Sequence, residues 1–319
     1  MSYGIEPQSN VSAGVQYQGL VERVIFSILI TLPGYVFLFI NGTMLFTLNS
    51  KVVFCETPRY VLLFNLLLAD TLHLVENQVM YILAVSRVRL TYPACGVLTM
   101  ANILTSGISP LTLVVMSLER YVAVCYPLRH ANIVTMTNTV AAICVVWFFC
   151  AIHILIHVVL LLEYPFEELE SLQLNDVCSE VNILIGPSST HYNMTSKCVL
   201  FVLAAAVIIC SYISVVVAAR SASTDKASAQ KARNTLLLHL VQLSLSLISN
   251  VESSLVIFLI KILDRITIIR IRSVLYVCIY LLPRCLSPLI YGLRDPCIRS
   301  LLMENLCCHL KLSAIRAKT

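Results

Sequence analysis

The sequence predicts an all-α membrane protein: a seven-transmembrane helix bundle followed by a short amphipathic helix 8. Three observations carry this expectation. The first is composition. Of 319 residues, 58% are hydrophobic and 12% charged, and the mean hydropathy is +0.86. A soluble domain is about 45–50% apolar and about 25% charged, so this chain has too little polar surface to cover itself against water and must face lipid. The second is the length of the apolar runs. A helix needs about 20 mostly apolar residues to cross the hydrocarbon core, and seven stretches suffice. The third is their continuity. They lack the strict alternation of barrel strands, and backbone groups deprived of water in lipid are satisfied within a helix.

In order, the spans are expected at Val24–Leu48, Tyr60–Val85, Val97–Val124, Thr139–Leu162, Val199–Ala219, Thr235–Ile260 and Ser273–Tyr291. This divides the chain into an N-terminal tail (1–23), the bundle (24–293) and a segment holding helix 8 and the C-terminal tail (294–319). Met1–Gly19 is polar and the first apolar run is long enough to span, so no cleavable signal peptide is expected. With the N-terminus outside, thirteen Lys and Arg residues flank the spans on the cytoplasmic side and eight on the outer side. That bias favours an extracellular N-terminus and a cytoplasmic C-terminus in a multi-pass plasma-membrane protein. The sequons at Asn10 and Asn193 then fall outside and are expected glycosylation sites. A third, at Asn41, lies within the first span and should stay unmodified.

Several function classes are disfavoured. The net charge of +5 is small and the basic residues form no stripe, so nucleic acid is not an expected partner. The 13 cysteines lack the spacing of a disulfide scaffold or zinc site. Cys144, Cys150, Cys210, Cys278 and Cys285 lie in apolar runs and are expected to pack as small buried hydrophobes. No phosphate loop, metal cluster, nucleophile elbow or triad spacing is present, so no enzyme activity, cofactor or metal is expected. A transporter would show repeated halves or broken helices, and seven spans do not divide into two equal repeats.

Polar residues inside spans are costly and face a cavity or a partner, though many serve as interhelical glue. The third span offers Asn102, Thr105 and Ser106, which share one face. The sixth offers Asn250, Glu252 and Ser253, with Glu252 about 20 Å along the helix from His239. The seventh offers Tyr276 and Tyr280, the fourth His153 and His157, and the second His73, Glu76 and Asn77. Glu76 or Glu252 could meet an amine, and Lys261 or another base could satisfy either equally well. Between Glu163 and Glu180 the outer loop carries six acidic residues and no Lys or Arg. It reads as a solvated acidic loop whose field would attract cations. Beyond the seventh span, Ile298, Leu301, Leu302 and Leu306 have the spacing of an amphipathic helix on the inner membrane surface. Cys307 and Cys308 follow it, either palmitoylated or as plain thiols.

Motifs fall in order on these spans. Asn41 lies on the first and Asn65-Leu-Leu-Leu-Ala-Asp70 on the second. The third ends in Met116-Ser-Leu-Glu119-Arg120-Tyr121-Val-Ala-Val-Cys125-Tyr-Pro127-Leu-Arg. Trp147 lies on the fourth, and Ser287-Pro288-Leu-Ile-Tyr291-Gly-Leu-Arg294-Asp295 closes the seventh. The set resembles the rhodopsin-like (class A) G-protein-coupled receptors over nearly the whole chain. Within that class the chain resembles the odorant receptors, through the third-span string, Ser211-Tyr212 on the fifth span and Lys231-Ala-Arg-Asn-Thr235-Leu-Leu-Leu-His239 at the entry to the sixth. Glu119 stands where the family has Asp, Ser287 where it has Asn and Arg284 where it has a second proline. These departures suggest a divergent, teleost-type branch.

The resemblance implies a small-molecule odorant bound in the outer half of the bundle, between the third, fifth, sixth and seventh spans. It implies a heterotrimeric G protein on the other side, of the stimulatory olfactory type that raises cAMP. Glu119 and Arg120 would neutralise one another at rest, and activation would free Arg120, with Tyr121, Tyr212, His239 and Tyr291 belonging to the switch. Cys95 would form a disulfide with the second outer loop. Cys178 is the natural partner and Cys198 the competitor. Asn41, Asp70, Arg284 and Ser287 would form a polar core. Receptors of this class commonly bind sodium at the position of Asp70, and here the resemblance places Arg284 opposite it. Either the two form an ion pair in place of the ion, or Arg284 snorkels or meets backbone carbonyls. The alternative within the class is a receptor for an endogenous amine, lipid or peptide.

Overall fold

The computed structural model describes residues 9–86, 88–163, 178–184 and 187–221, together with 230, 233–234, 236–238, 240–241, 244, 274, 278, 284, 295 and 297–305. Eight helices lie in the first four segments: α1 (Ser9–Asn49), α2 (Val52–Cys55), α3 (Pro58–Val85), α4 (Tyr92–Cys125), α5 (Pro127–Ile133), α6 (Met136–Leu162), α7 (Glu180–Ile183) and α8 (Pro187–Ser221). Residues 297–305 are helical as well. Proline opens several of these helices, where a missing N–H costs nothing. Thr135 caps α6, its hydroxyl accepting from the Asn138 N–H at 3.2 Å.

Four helices among the described residues are long and apolar enough to cross a membrane: within α1, α4, α6 and α8. The second expected span forms the 28-residue helix α3. It carries Asn65, Asp70, His73, Glu76, Asn77 and Gln78 and is therefore less apolar. The sixth and seventh expected spans lie almost wholly outside the described residues. Two helices start well before the expected span. The expected fifth span begins at its first apolar residue, but α8 begins at Pro187, because its polar first turns find partners on α6 and α7 instead of water. Likewise α1 begins at Ser9, ahead of Val24.

Helix α4 is the centre of the bundle, packing against α3, α6 and α8, with α1 against α3. The exposed faces are apolar, as Phe148, Leu155, Val202 and Leu203 show, whereas Asn41, Asp70, His73, Thr105, Ser109 and Ser117 are buried. This places polar groups together and leaves hydrocarbon to face hydrocarbon. The main apolar core joins Met44 and Leu48 of α1, Leu62, Leu63, Leu66 and Leu67 of α3, Leu113 and Met116 of α4, and Ile208 of α8.

Three expectations need correction. Of the five cysteines expected to be buried, only Cys150 is; Cys144, Cys210 and Cys278 are exposed, and Cys285 lies outside the described residues. A thiol is apolar enough to face lipid, so an apolar run does not dictate an inward position. The 297–305 helix does not present all its apolar side chains to a membrane surface, since Ile298 and Leu302 insert into the main core. Asp295 holds it there, accepting from the Tyr60 hydroxyl at 3.1 Å and the Cys297 N–H at 3.1 Å, with Arg59 Nη1 at 3.5 Å. Asn305 Nδ2 donates to Thr47 Oγ1 at 2.9 Å. The Asn193 sequon lies inside α8, not on a loop, and its amide nitrogen donates to Glu180. A glycan on that nitrogen would break the contact.

Gly34 of α1 shows how closely these helices approach. The amide of Gln78 on α3 lies where a Cβ on Gly34 would be, and Gln78 is itself buried. Gly34→Ala should therefore destabilise the purified protein by about 1–3 kcal/mol. Gln78→Ala should suppress that loss in the double variant, read from thermal denaturation as a coupling between the two sites.

Candidate functional site

Two polar centres lie along α4. At its C-terminal end, Arg120 Nε is 3.0 Å from Glu119 Oε2. His130 on α5 places Nε2 3.7 Å from the other carboxylate oxygen. Adjacent charges at the end of an apolar helix neutralise each other where full hydration is lost. Tyr121 faces away from the pair and donates to the Tyr126 hydroxyl at 3.4 Å. Tyr212 of α8 packs beside Val124 and Cys125 with Val215 and Leu236, so it stands next to this end of α4. His239 and Tyr291 lie outside the described residues. Just past the pair, Leu128 is 96% exposed.

The second centre begins midway along α4. Asp70, 1% exposed, accepts from Arg284 Nη1 at 2.8 Å and from Ser109 Oγ at 2.6 Å, both at Oδ1. Of the two alternatives for Arg284, the structure has the ion pair with Asp70. These residues do not fit a sodium ion. The carboxylate charge is already met by a guanidinium, whose own positive charge would repel a second cation at the same oxygen. Below it, Asn65 donates to Thr112 Oγ1 at 2.9 Å and accepts from Trp147 Nε1 at 2.9 Å, tying α3, α4 and α6 together. Asn41 is fully buried in α1; Ser287 lies outside the described residues.

Toward the disulfide end, Thr105 donates to Glu76 Oε2 at 2.8 Å and meets His73 Nδ1 at 3.0 Å. Asn102 donates to Asn77 Oδ1 at 3.3 Å. Ser106, expected on the same face, donates to its own helix at Ile103 O, 2.8 Å. On the far side of α4, His157 is fully buried. Its ring packs 4.6 Å from that of His153 and 5.0 Å from that of Tyr192, and His153 Nδ1 lies 2.9 Å from the Tyr192 hydroxyl. Neither ring nitrogen of His157 has a hydrogen-bond partner. Asn250, Glu252, Ser253, Tyr276 and Tyr280 lie outside the described residues, as do Cys307, Cys308 and the side chain of Asn10.

The roof of this end is covalent. Cys95 and Cys178 form a disulfide with Cα atoms 5.6 Å apart, while Cys198 is free. The strap that follows buries Ile183 and Leu184 against Tyr92, Met100 and Ile103, and the Tyr92 hydroxyl donates to Ile183 O at 2.7 Å. Glu180 on this strap accepts from Lys197 and Asn193 of α8. Burial pushes its carboxyl up, but the Lys197 charge and these hydrogen bonds outweigh it and hold the group below its ordinary value of 4.5.

Two outcomes follow. Because Glu180 is depressed in the folded state, its stabilisation is full above the ordinary carboxylate range and is lost as pH falls through the folded value. Thermal stability should therefore fall as the pH drops below about 4.5, and Glu180→Gln should flatten that limb of the profile. Arg284→Ala should strand a buried carboxylate and cost about 3–5 kcal/mol. Surface expression would drop accordingly and recover in part when Asp70→Asn removes the stranded charge.

The family model described as 7 transmembrane receptor (rhodopsin family) matches residues 40–291. Odorant receptor 131-2 of Danio rerio is 33% identical over 289 residues, covering 89% of this chain and 84% of that receptor. Olfactory receptor 2A7 of Mus musculus is 30% identical over 161 residues, 49% of this chain and 50% of its own length. Olfactory receptor 2A1/2A42 of Homo sapiens is 35% identical over 135 residues, 40% of this chain and 41% of its own. A match across most of the chain, with the Glu119–Arg120 pair and the Cys95–Cys178 disulfide at opposite ends of α4, settles the class: this chain belongs to the rhodopsin family of seven-transmembrane receptors.

Proposed function

We propose that this chain is an odorant receptor that binds a small molecule in the disulfide-end half of its bundle and activates a heterotrimeric G protein at the Arg120 end. The observation that carries this reading is the division of α4. One end holds buried and half-buried polar side chains from four helices, and the other holds a charged pair beside an exposed apolar residue. The first arrangement suits recognition of a small molecule by a few placed polar groups. The second suits docking of a protein partner, since a fully exposed leucine beside freed charge gives an apolar anchor with a polar rim. The names of the relatives favour an odorant ligand.

The disulfide end is then extracellular, as expected from the oxidising conditions disulfides need and from the distribution of Lys and Arg. The ligand acts by binding one bundle conformation more tightly than another. Breaking the Glu119–Arg120 contact is the switch, with Tyr212 adjacent. A stimulatory G protein that raises cAMP is the expected transducer.

The test is cAMP in cells expressing the full chain with a stimulatory olfactory G protein, across amines, amino acids and volatile odorants. A ligand-dependent rise is expected, abolished by Arg120→Ala and reduced about 10-fold or more by Leu128→Asp at equal surface expression, the loss of a buried apolar anchor at an interface. Silence across the panel with the protein at the surface would count against the odorant reading. An unchanged response in Leu128→Asp would remove that residue from the docking face.

A further inference from the structure

We propose that Glu76 is the anchor for a protonated amine, held between α3 and α4 with His73 as its second contact. The inference rests on the receptor reading above and deepens it by naming the ligand class.

Glu76 lies one turn beyond His73 on α3, and its hydrogen bond with Thr105 turns it toward α4. It stands about 9 Å above Asp70 toward the disulfide end, at 1.5 Å per residue. The hydrogen-bond chain through Thr105 then fixes where protons lie. A hydroxyl has one proton to give. Thr105 has several acceptors in reach: Glu76 Oε2 at 2.8 Å, and Ala101 O and Asn102 O each at 3.1 Å. The carboxylate is the closest and is charged, so it takes the proton. His73 Nδ1 lies 3.0 Å from the same oxygen, and with the Thr105 proton given to Glu76 we assign Nδ1 the donor role. That makes Nδ1 the protonated nitrogen and leaves Nε2 a bare acceptor. His73 is 2% exposed, and Nε2 has no hydrogen-bond partner among the described residues.

Two demands are thus unmet within one turn of helix. The Glu76 carboxylate forms no ion pair with the described residues. Arg284, a buried cation among the described residues, is committed to Asp70 at 2.8 Å. A carboxylate inside a span is expensive without a counter-charge, and a buried ring acceptor is costly without a donor. An ammonium group supplies both, a positive charge for Glu76 and an N–H for His73. A neutral alcohol supplies only the donor, and an acid is repelled. Asn77 and Asn102, joined at 3.3 Å, bound the site on the side of the disulfide.

The test is a thermal-shift titration of the full chain purified in detergent, which reads binding without any G protein. The probes are 2-phenylethylamine and hexylamine against 2-phenylethanol and hexanol, matched in skeleton and neutral. The amines should raise the melting temperature with concentration, and the alcohols should not at the same concentration. Glu76→Gln keeps the shape and the Thr105 bond but removes the charge. It should melt at or above wild type without ligand and bind the amines about 10- to 100-fold more weakly, the loss of one charge-assisted contact. Glu76→Asp should restore part of the affinity, and Glu304→Gln, on the exposed tail helix, should change nothing. Equal stabilisation by amines and alcohols, no stabilisation by amines, or undiminished amine affinity in Glu76→Gln would overturn the proposal. So would a Glu76→Gln protein that melts well below wild type without ligand, which would make the carboxylate structural. If amines stabilise the protein but no compound raises cAMP in cells, the receptor reading fails and the site stands. If neutral odorants raise cAMP and amines do not bind, the site fails and the reading stands.

Discussion

Hydrocarbon offers nothing to a charge, so a carboxylate sealed among helices takes its counter-ion from within reach. In this chain that counter-ion is covalently part of the protein. Asp70 and Arg284 are 214 residues apart in sequence and 2.8 Å apart in space, and Ser109 joins them from α4 at 2.6 Å. Three distant parts of the chain are therefore registered at one point, and the direction of each contact is set by which atom carries a proton. The layers on either side are built from the same requirement. The Asn65–Thr112–Trp147 contacts lie toward Arg120, and the Glu76–Thr105–His73 contacts lie toward the disulfide. Each is a set of polar groups that cannot face lipid and so faces a neighbour.

Because α4 contributes to every layer, it connects the two ends mechanically. A shift in Thr105 is carried along one continuous helix to Glu119 and Arg120, through Pro110, where the ladder lacks one N–H. Such a helix has a place to bend within its middle polar layers, ahead of the Glu119–Arg120 pair. The Cys95–Cys178 disulfide pins its opposite terminus to the strap.

Much of this was legible in the residues. The boundaries of α3, α4 and α6 followed from apolar length within a few residues. The resemblance together with the cost of lone charges in spans pointed to the Glu119–Arg120 pair and left Asp70–Arg284 as one of two alternatives, and the disulfide partner came from the resemblance. Other features depended on azimuth and length, which a single chain does not disclose. Asn102, Thr105 and Ser106 share a helical face, yet Thr105 reaches across to α3 while Ser106 bonds to its own backbone, a difference set by what stands opposite. The start of α8 was misplaced because a polar first turn resembles a loop until Glu180 and His153 are brought to it. The inward packing of Ile298 and Leu302 was misjudged because an amphipathic stripe fits a membrane surface and a protein core equally well.

The outward cysteines separate two meanings of exposure. Cys144 and Cys210 present their sulfur at the surface of the bundle, yet each lies on a helix built to be surrounded by lipid. Water-borne oxidants and ionic thiol reagents are scarce in that medium, whereas apolar ones dissolve in it. The same two thiols would thus be silent to a charged label on intact cells and open to a lipophilic one. Moving the protein from bilayer to detergent changes their chemistry without moving an atom of the fold.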